Sequence, residues 1–184
     1  MASEWILTNG STPSTPAAGK NALFFGSAAV YPSTIDSSAV VRLLGGSTSL
    51  VNFSISDPVG TTDTTGKMAG IAQSFTPTST GKTIFIASGN LSNSTATAGT
   101  GCKVGIRYST GSAPTNGANL IGSTGSSVVT SVLERNTSDL QGFCCVGGAS
   151  LTVGVTYWVD LTQAAIVAGT GVITNIGLVV YEVY

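Results

Sequence analysis

Charged residues are scarce in this sequence, and histidine is absent. The 184 residues include seven Lys or Arg and eight Asp or Glu, which make up 8% of the chain and leave a net charge of −1. Soluble proteins carry about 25% charged residues. Without histidine, the chain can form neither a Ser-His-Asp nor a Cys-His catalytic group, and no metal site that requires imidazole. We therefore expect no enzymatic activity, no cofactor and no metal ion.

The shortage of basic and of long apolar segments excludes two classes of partner. The Lys and Arg residues lie singly between Lys20 and Arg135, with no basic stripe to neutralise phosphates. No stretch approaches the roughly 18 apolar residues of a membrane span. The N-terminal residues Met1–Trp5 have neither the basic nor the apolar region of a signal peptide. We expect no nucleic acid partner, no membrane partner, and synthesis in a cytoplasm.

Hydrophobic residues are abundant, in contrast to charges. They make up 42% of the chain, enough to form a folded core. A net charge this close to zero gives little protection against self-association. We interpret the composition as that of an oligomer or lattice in which neighbours cover much of the surface. The alternative is a monomer that Ser, Thr and Asn side chains keep soluble.

The three cysteines form an odd set. In a chain without a secretion signal, Cys102, Cys144 and Cys145 imply no internal disulfide framework. Because successive strand residues point to opposite faces, Cys144 and Cys145 should face opposite ways. The outward one could form an inter-chain disulfide with a neighbour. Alternatively, all three are small apolar side chains of the interior.

Short apolar runs alternate with clusters of Gly, Pro, Ser and Thr, which predicts an all-β protein. The period of two is clearest in Cys102–Tyr108, where Lys103, Gly105 and Arg107 share the face opposite the apolar one. The best helical candidate is the short segment Leu161–Val167. We predict an antiparallel β-sandwich or jelly roll with an extended N-terminal arm or small subdomain.

The predicted strands are Trp5–Thr8, Ala22–Val30, Ala39–Leu44, Leu50–Ile55, Ala69–Phe75, Thr83–Leu91, Cys102–Tyr108, Val128–Leu133, Gln141–Val146, Val155–Leu161 and Val172–Val183. A polar stretch without apolar residues, Gly60–Lys67, predicts a boundary. Residues 1–65 are then an arm or attachment region, and residues 66–184 form the sandwich domain.

Two loop motifs suggest ligands but have simpler interpretations. Gly81-Lys82-Thr83 resembles the end of a phosphate-binding P-loop, yet Thr76 stands where the first glycine is required and a strand follows. We interpret this match as a coincidence. Asp57 and Asp63 bracket a turn-rich loop that could hold a calcium ion, although the EF-hand spacing is missing. An ordinary solvated loop is the alternative.

Two aromatic residues are candidate interface positions. Trp158 lies on the opposite side of its strand from Tyr157. It either fills a second layer of the sandwich or serves as an exposed anchor at an interface. Trp158 and Tyr108 are also the candidate stacking platforms if the protein binds carbohydrate.

Three segments with a shared strand–turn pattern, Arg107–Ala118, Leu151–Leu161 and Ile173–Glu182, carry a resemblance. From about residue 66 onward, the chain resembles the small β-sandwich domains of bacteriophage virion proteins found in head decorations, head fibres and tail fibres. The resemblance implies a jelly-roll-like domain that often forms trimers and is displayed on a particle. Such a protein is made in the host cytoplasm and is then located in the virion, on the capsid exterior.

Three functions follow as hypotheses. The resemblance implies, first, a virion structural protein: a capsid decoration or cement protein that binds the major capsid protein or other virion proteins as a homotrimer. The alternative is a tail- or head-fibre module that binds a receptor or carbohydrate. A third is a hydrolase that uses carboxylates such as Asp160 or Glu182, which would need two acidic groups across a cleft.

Overall fold

The fold is known from a computed structural model. It describes residues 7–10, 15, 17–18, 22–26, 33–35, 41–43, 51–52, 55–95, 97–126, 129–133 and 140–183. These residues form fourteen strands and no helix, so the prediction of an all-β protein is confirmed. The chain divides into two compact units, Met1–Thr48 and Ser49–Val183.

The first unit contains one sheet. Its strands are β1 (Leu7–Gly10), β2 (Ala22–Gly26), β3 (Ser33–Ile35) and β4 (Val41–Leu43), in that spatial order. The pair β1–β2 is parallel, whereas β2–β3 and β3–β4 are antiparallel. The predicted strand Trp5–Thr8 lies partly outside the described residues.

The second unit is an antiparallel β-sandwich. Its strands are β5 (Val51–Asn52), β6 (Lys67–Met68), β7 (Gln73–Phe75), β8 (Lys82–Asn93), β9 (Thr100–Ser109), β10 (Ser123–Thr124), β11 (Val129–Leu133), β12 (Gln141–Ser150), β13 (Tyr157–Ile166) and β14 (Gly171–Glu182). In sheet one, β9 and β13 pair at the centre, β6 and β7 flank β13, and β10 and β11 flank β9. Sheet two has the order β12-β8-β14-β5. The predicted antiparallel sandwich is confirmed.

The two sheets share one hydrophobic core. Alternate residues of the long strands point inward, as the period of two requires. The core residues contributed by β8, β9, β13 and β14 are Phe85, Ala87, Leu91, Cys102, Val104, Ile106, Val159, Leu161, Ile173, Ile176, Leu178 and Val180. Burying each large apolar side chain contributes about 1.5–3 kcal/mol to folding. The predicted inward face of Cys102–Tyr108 is confirmed.

The best helical candidate, Leu161–Val167, does not form a helix. The segment continues β13, and its residues pair with β9, for example Leu161 with Ile106 and Ala165 with Cys102. Strands pair with both edges of β13 and give its backbone more hydrogen bonds than one isolated helical turn would form. The predicted strand Ala69–Phe75 is also interrupted, because ladder pairing with β13 resumes only at β7.

Residues 51–63 are part of the sandwich unit. β5 pairs with β14, and Thr61 exchanges backbone hydrogen bonds of 2.9 and 2.8 Å with Gly171. The Ala165 N–H donates to the carbonyl of Asp63. The division of the structure thus falls at residues 48 and 49. The attachment role of residues 1–65 stays a prediction.

The two sheets approach each other closely beside β12. Ser126, between β10 and β11, forms an isolated bridge with Gly147 of β12. A Cβ atom on Gly147 would lie 1.8 Å from the Gly125 oxygen and 2.5 Å from the Ser126 Cα. Only glycine permits this approach, because both obstructing groups belong to the backbone.

The first prediction compares two glycines of the same strand. Gly147→Ala should lower the free energy of unfolding by about 2–3 kcal/mol, because its methyl group displaces backbone. Gly142→Ala is the matched control, since the nearest atom that its methyl group would meet is the Gly89 oxygen at 4.0 Å. Urea unfolding followed by tryptophan fluorescence measures both. Equal stability of the two variants would contradict the packing described here.

Candidate contact surfaces

Trp158 is buried beneath a loop. Its side chain lies on the outer face of sheet one and is 4% exposed. A Cβ atom on Gly122 would lie 2.7 Å from the Trp158 ring, so the loop before β10 covers the indole. Trp158 is thus buried rather than exposed, but it lies beneath a loop on the outer face and not in the core between the two sheets.

Tyr108 packs on the other face of the same sheet. Its ring centroid lies 5.4 Å from that of Phe85 and 6.3 Å from that of Tyr157. Tyr108 and Trp158 therefore occupy opposite faces of sheet one and form no common stacking platform. Contacts between chains at either residue stay a prediction.

The cysteines occupy different environments. Cys145 faces the core, with its sulfur 2.9 Å from the Ser126 hydroxyl, and burial raises its pKa. Burial also raises the pKa of Cys102 to about 11. Cys144 is exposed, so the prediction that Cys144 and Cys145 face opposite ways is confirmed. Cys144 is the thiol that a neighbouring chain can reach, and an inter-chain disulfide stays a prediction.

The centre of the outward side of sheet two forms a surface that we call the sheet-two face, and the exposed Lys82 lies beside it on the same side of β8, two residues before Ile84. The described members of the sheet-two face are Ile84, Ile86, Ser88, Cys144, Val146, Gly177, Val179 and Tyr181. Val146, Ile86 and Val179 lie side by side across three strands, and Val146 is 55% exposed. None of the eight carries a charge. Ordered apolar surface of this kind is typical of protein–protein contacts.

Glu182, at the end of β14, anchors the loop before β8. Its carboxylate is 2% exposed and accepts hydrogen bonds of 2.5–3.0 Å from four successive backbone N–H groups, those of residues 78–81. Burial raises the pKa of Glu182, but the four donors together outweigh it and hold the pKa below its usual value. The loop of the P-loop-like motif thus binds the chain's own carboxylate, and Lys82 and Thr83 begin a strand as predicted.

Asp160 fills the gap between β6 and β7. Its buried carboxylate accepts hydrogen bonds from the N–H groups of Gly70 (3.0 Å), Ile71 (3.0 Å) and Leu161 (2.8 Å). Burial raises the pKa of Asp160 to about 6 against the opposing effect of these donors. Arg107 is its register partner on β9 but donates instead to the Gly122 carbonyl at 2.8 Å.

Asp57 and Asp63 hold two separate turns. Asp57 accepts a hydrogen bond of 2.8 Å from the N–H of Asn175, a bulge residue of β14 with φ of 51°. Asp63 accepts from the Thr65 hydroxyl and from the N–H groups of Thr65 and Gly66 at 2.6–2.8 Å, and these bonds lower its pKa. The described residues contain no group of three or more His, Cys, Asp or Glu able to hold a metal ion. The structure does not bring Asp57 and Asp63 together as ligands.

Each carboxylate in the described part of the chain therefore serves as an acceptor for backbone N–H groups. Asp160 and Glu182 belong to different sheets and anchor different loops. The hydrolase hypothesis names Asp160 and Glu182, and both carboxylates are buried and bind backbone N–H groups of the chain. The sequence did not reveal the anchors Asp57, Asp160 and Glu182, because each joins residues far apart in the chain.

Comparison of the chain with protein-family models, curated proteins and solved structures gives no match. Within the ranges that the structure covers, no helix is long and apolar enough to cross a membrane. The functional argument therefore depends on the surfaces and contacts of the chain itself.

The second prediction concerns the pH dependence of stability. Because the pKa of Glu182 is lowered on folding, its stabilising effect is present above its usual pKa of 4.5 and is lost as the pH falls through the folded-state value. Glu182→Gln should cost about 1–3 kcal/mol at neutral pH, and this deficit should shrink in acid. The pKa of Asp160 is raised from 3.8 to about 6, so the wild type should lose stability relative to Asp160→Asn as pH rises through that interval.

Urea unfolding at a series of pH values between the acid limit of folding and neutrality measures both differences. The two variants should depart from the wild type with opposite pH slopes. Parallel slopes would contradict the assigned environments of the two carboxylates.

Proposed function

We propose that this protein is a bacteriophage virion structural protein, a decoration or cement protein on the capsid exterior that acts through protein–protein contacts. The observation that supports this most directly is the sheet-two face, an ordered surface of apolar and small polar side chains without a charge. Together with the sequence resemblance and the confirmed β-sandwich, it favours an assembly role.

The sheet-two face is suited to contact because its side chains are already fixed. Ile86 and Val179 lie on paired strands, so little backbone or side-chain freedom remains to be lost on binding. A stable interface buries about 1,200–2,000 Å² in total. Covering apolar surface at about 25 cal/mol per Å² supplies the favourable free energy, and none of the eight side chains of the sheet-two face is a charged group that would have to be desolvated.

In the proposed assembly, the sandwich unit is a jelly-roll-like domain, and three copies of the chain form a homotrimer. The sheet-two face contacts another copy of the chain or the major capsid protein. The N-terminal residues, up to about residue 65, attach the chain to the shell. The fibre alternative receives less support, because Trp158 is covered and the Tyr108 ring packs against Phe85.

The third prediction tests association with particles. The wild-type protein should co-sediment in a density gradient with purified particles of the bacteriophage that encodes it. Cryo-electron microscopy of these particles should show its density outside the shell. Val146→Asp should reduce this association at least tenfold, because a buried, unpaired carboxylate is strongly unfavourable.

Val59→Asp is the matched control, since Val59 is 75% exposed in a loop. It should associate like the wild type, and both variants should keep the wild-type thermal midpoint within a few degrees. Absence of the wild-type protein from particles would refute the proposed function. Equal association of both variants would refute the role of the sheet-two face.

A further inference from the structure

The outer face of sheet one contains a pocket of about 110 Å³. Lys103 and Arg107 of β9 line it, with Gly105 between them and Thr162 of β13 alongside. The two basic residues are four positions apart on one strand, so their Cα atoms are separated by about 13 Å. Gly105 has no side chain to fill the space between them.

The two basic side chains form no ion pair with the acids that the structure describes, which are Asp57, Asp63, Asp160 and Glu182. Among the described residues, no carboxylate lies within 4.0 Å of the charged groups of Lys103 or Arg107. Arg107 donates to the carbonyl groups of Ile121 and Gly122, which accept hydrogen bonds but do not neutralise its charge.

The neighbouring acids are engaged elsewhere. The Asp63 carboxylate binds the backbone of its own turn and lies 3.4 Å from the Lys67 amine. Asp160, although opposite Arg107 on the sheet, directs its oxygens to the N–H groups of Gly70 and Ile71. None of the four acids that the structure describes therefore neutralises the positive charge at the pocket.

The size of the pocket limits the occupant. Pockets for drug-sized ligands measure about 300–1,000 Å³, so a volume of 110 Å³ admits only a small group. A carboxylate with its adjoining methylene fits this size, and Leu120 and Ala164 offer apolar contact to the methylene.

We propose that this pocket binds the side-chain carboxylate of an acidic residue on a partner protein. The choice of a protein as the source rests on the proposed function. The charge and size of the pocket are independent of that function, and they specify a small oxyanion.

Acetate is the probe for the pocket itself. In a titration followed by ¹⁵N NMR, acetate should shift the backbone amide signals of residues 103–107 with a dissociation constant on the order of millimolar, and added salt should weaken binding because it screens exposed charges. Lys103→Gln should weaken acetate binding at least fivefold. Lys82→Gln removes the same charge from an exposed position on β8 and should leave binding unchanged.

Two results would overturn the proposal at this step. One is that acetate shifts the amide signals of residues 103–107 no more than a control salt of equal ionic strength does. The other is binding of glucuronate at least tenfold tighter than acetate, which would identify an acidic sugar as the ligand.

Particle association distinguishes the source of the carboxylate from the proposed function. Reduced co-sedimentation of Lys103→Gln, at an unchanged thermal midpoint, supports a contact with a partner protein. Undiminished co-sedimentation of Lys103→Gln overturns it while leaving the proposed function intact. If the wild-type protein itself is absent from particles, the proposed function and the protein source both fail, and the acetate titration still decides whether the pocket binds an oxyanion.

Discussion

Loops in a β-sandwich contain backbone N–H groups that have no carbonyl of a neighbouring strand to donate to. In this chain, carboxylates accept hydrogen bonds from such groups. Glu182 binds four consecutive N–H groups before β8, and Asp160 binds three around the break between β6 and β7. Hydrogen bonds to charged acceptors contribute about 1.5–3 kcal/mol each. Because each carboxylate joins distant segments, the positions of the loops and the register of the strand ends depend on a few acidic residues.

The scarcity of charge then has a structural consequence for the surfaces. With its described acids engaged by backbone, the sandwich presents two unlike outer faces. The sheet-two face, around Ile86 and Val146, is apolar and uncharged. The outer face of sheet one carries Lys103 and Arg107, which pair with none of the described acids. An apolar face favours close packing with a neighbour, whereas the basic pocket favours one specific acidic group. The two faces together suit an assembly protein, which needs a large contact area with its neighbours and a fixed orientation relative to them.

Local patterns predicted the features that depend on alternation along one strand. The all-β class, the inward face of Cys102–Tyr108 and the opposite orientations of Cys144 and Cys145 all follow from the period of two. The same period placed Lys103, Gly105 and Arg107 on one face, which was the available signal for the basic pocket. It did not show that the neighbouring acids are engaged elsewhere. The assignment of Leu161–Val167 to a helix failed because pairing on both edges of β13 outweighs local spacing. The role of Glu182 was not predictable, since its donors lie about a hundred residues earlier.

The most direct test of this account is an NMR titration of the side-chain carboxyl carbons in the folded protein. The account predicts that Glu182 titrates below its usual pKa of 4.5, because backbone donors favour its charged form, and that Asp160 titrates near 6, because burial disfavours its charge. Both residues titrating at the values of exposed carboxyl groups would show that neither anchors a loop, and would contradict the account.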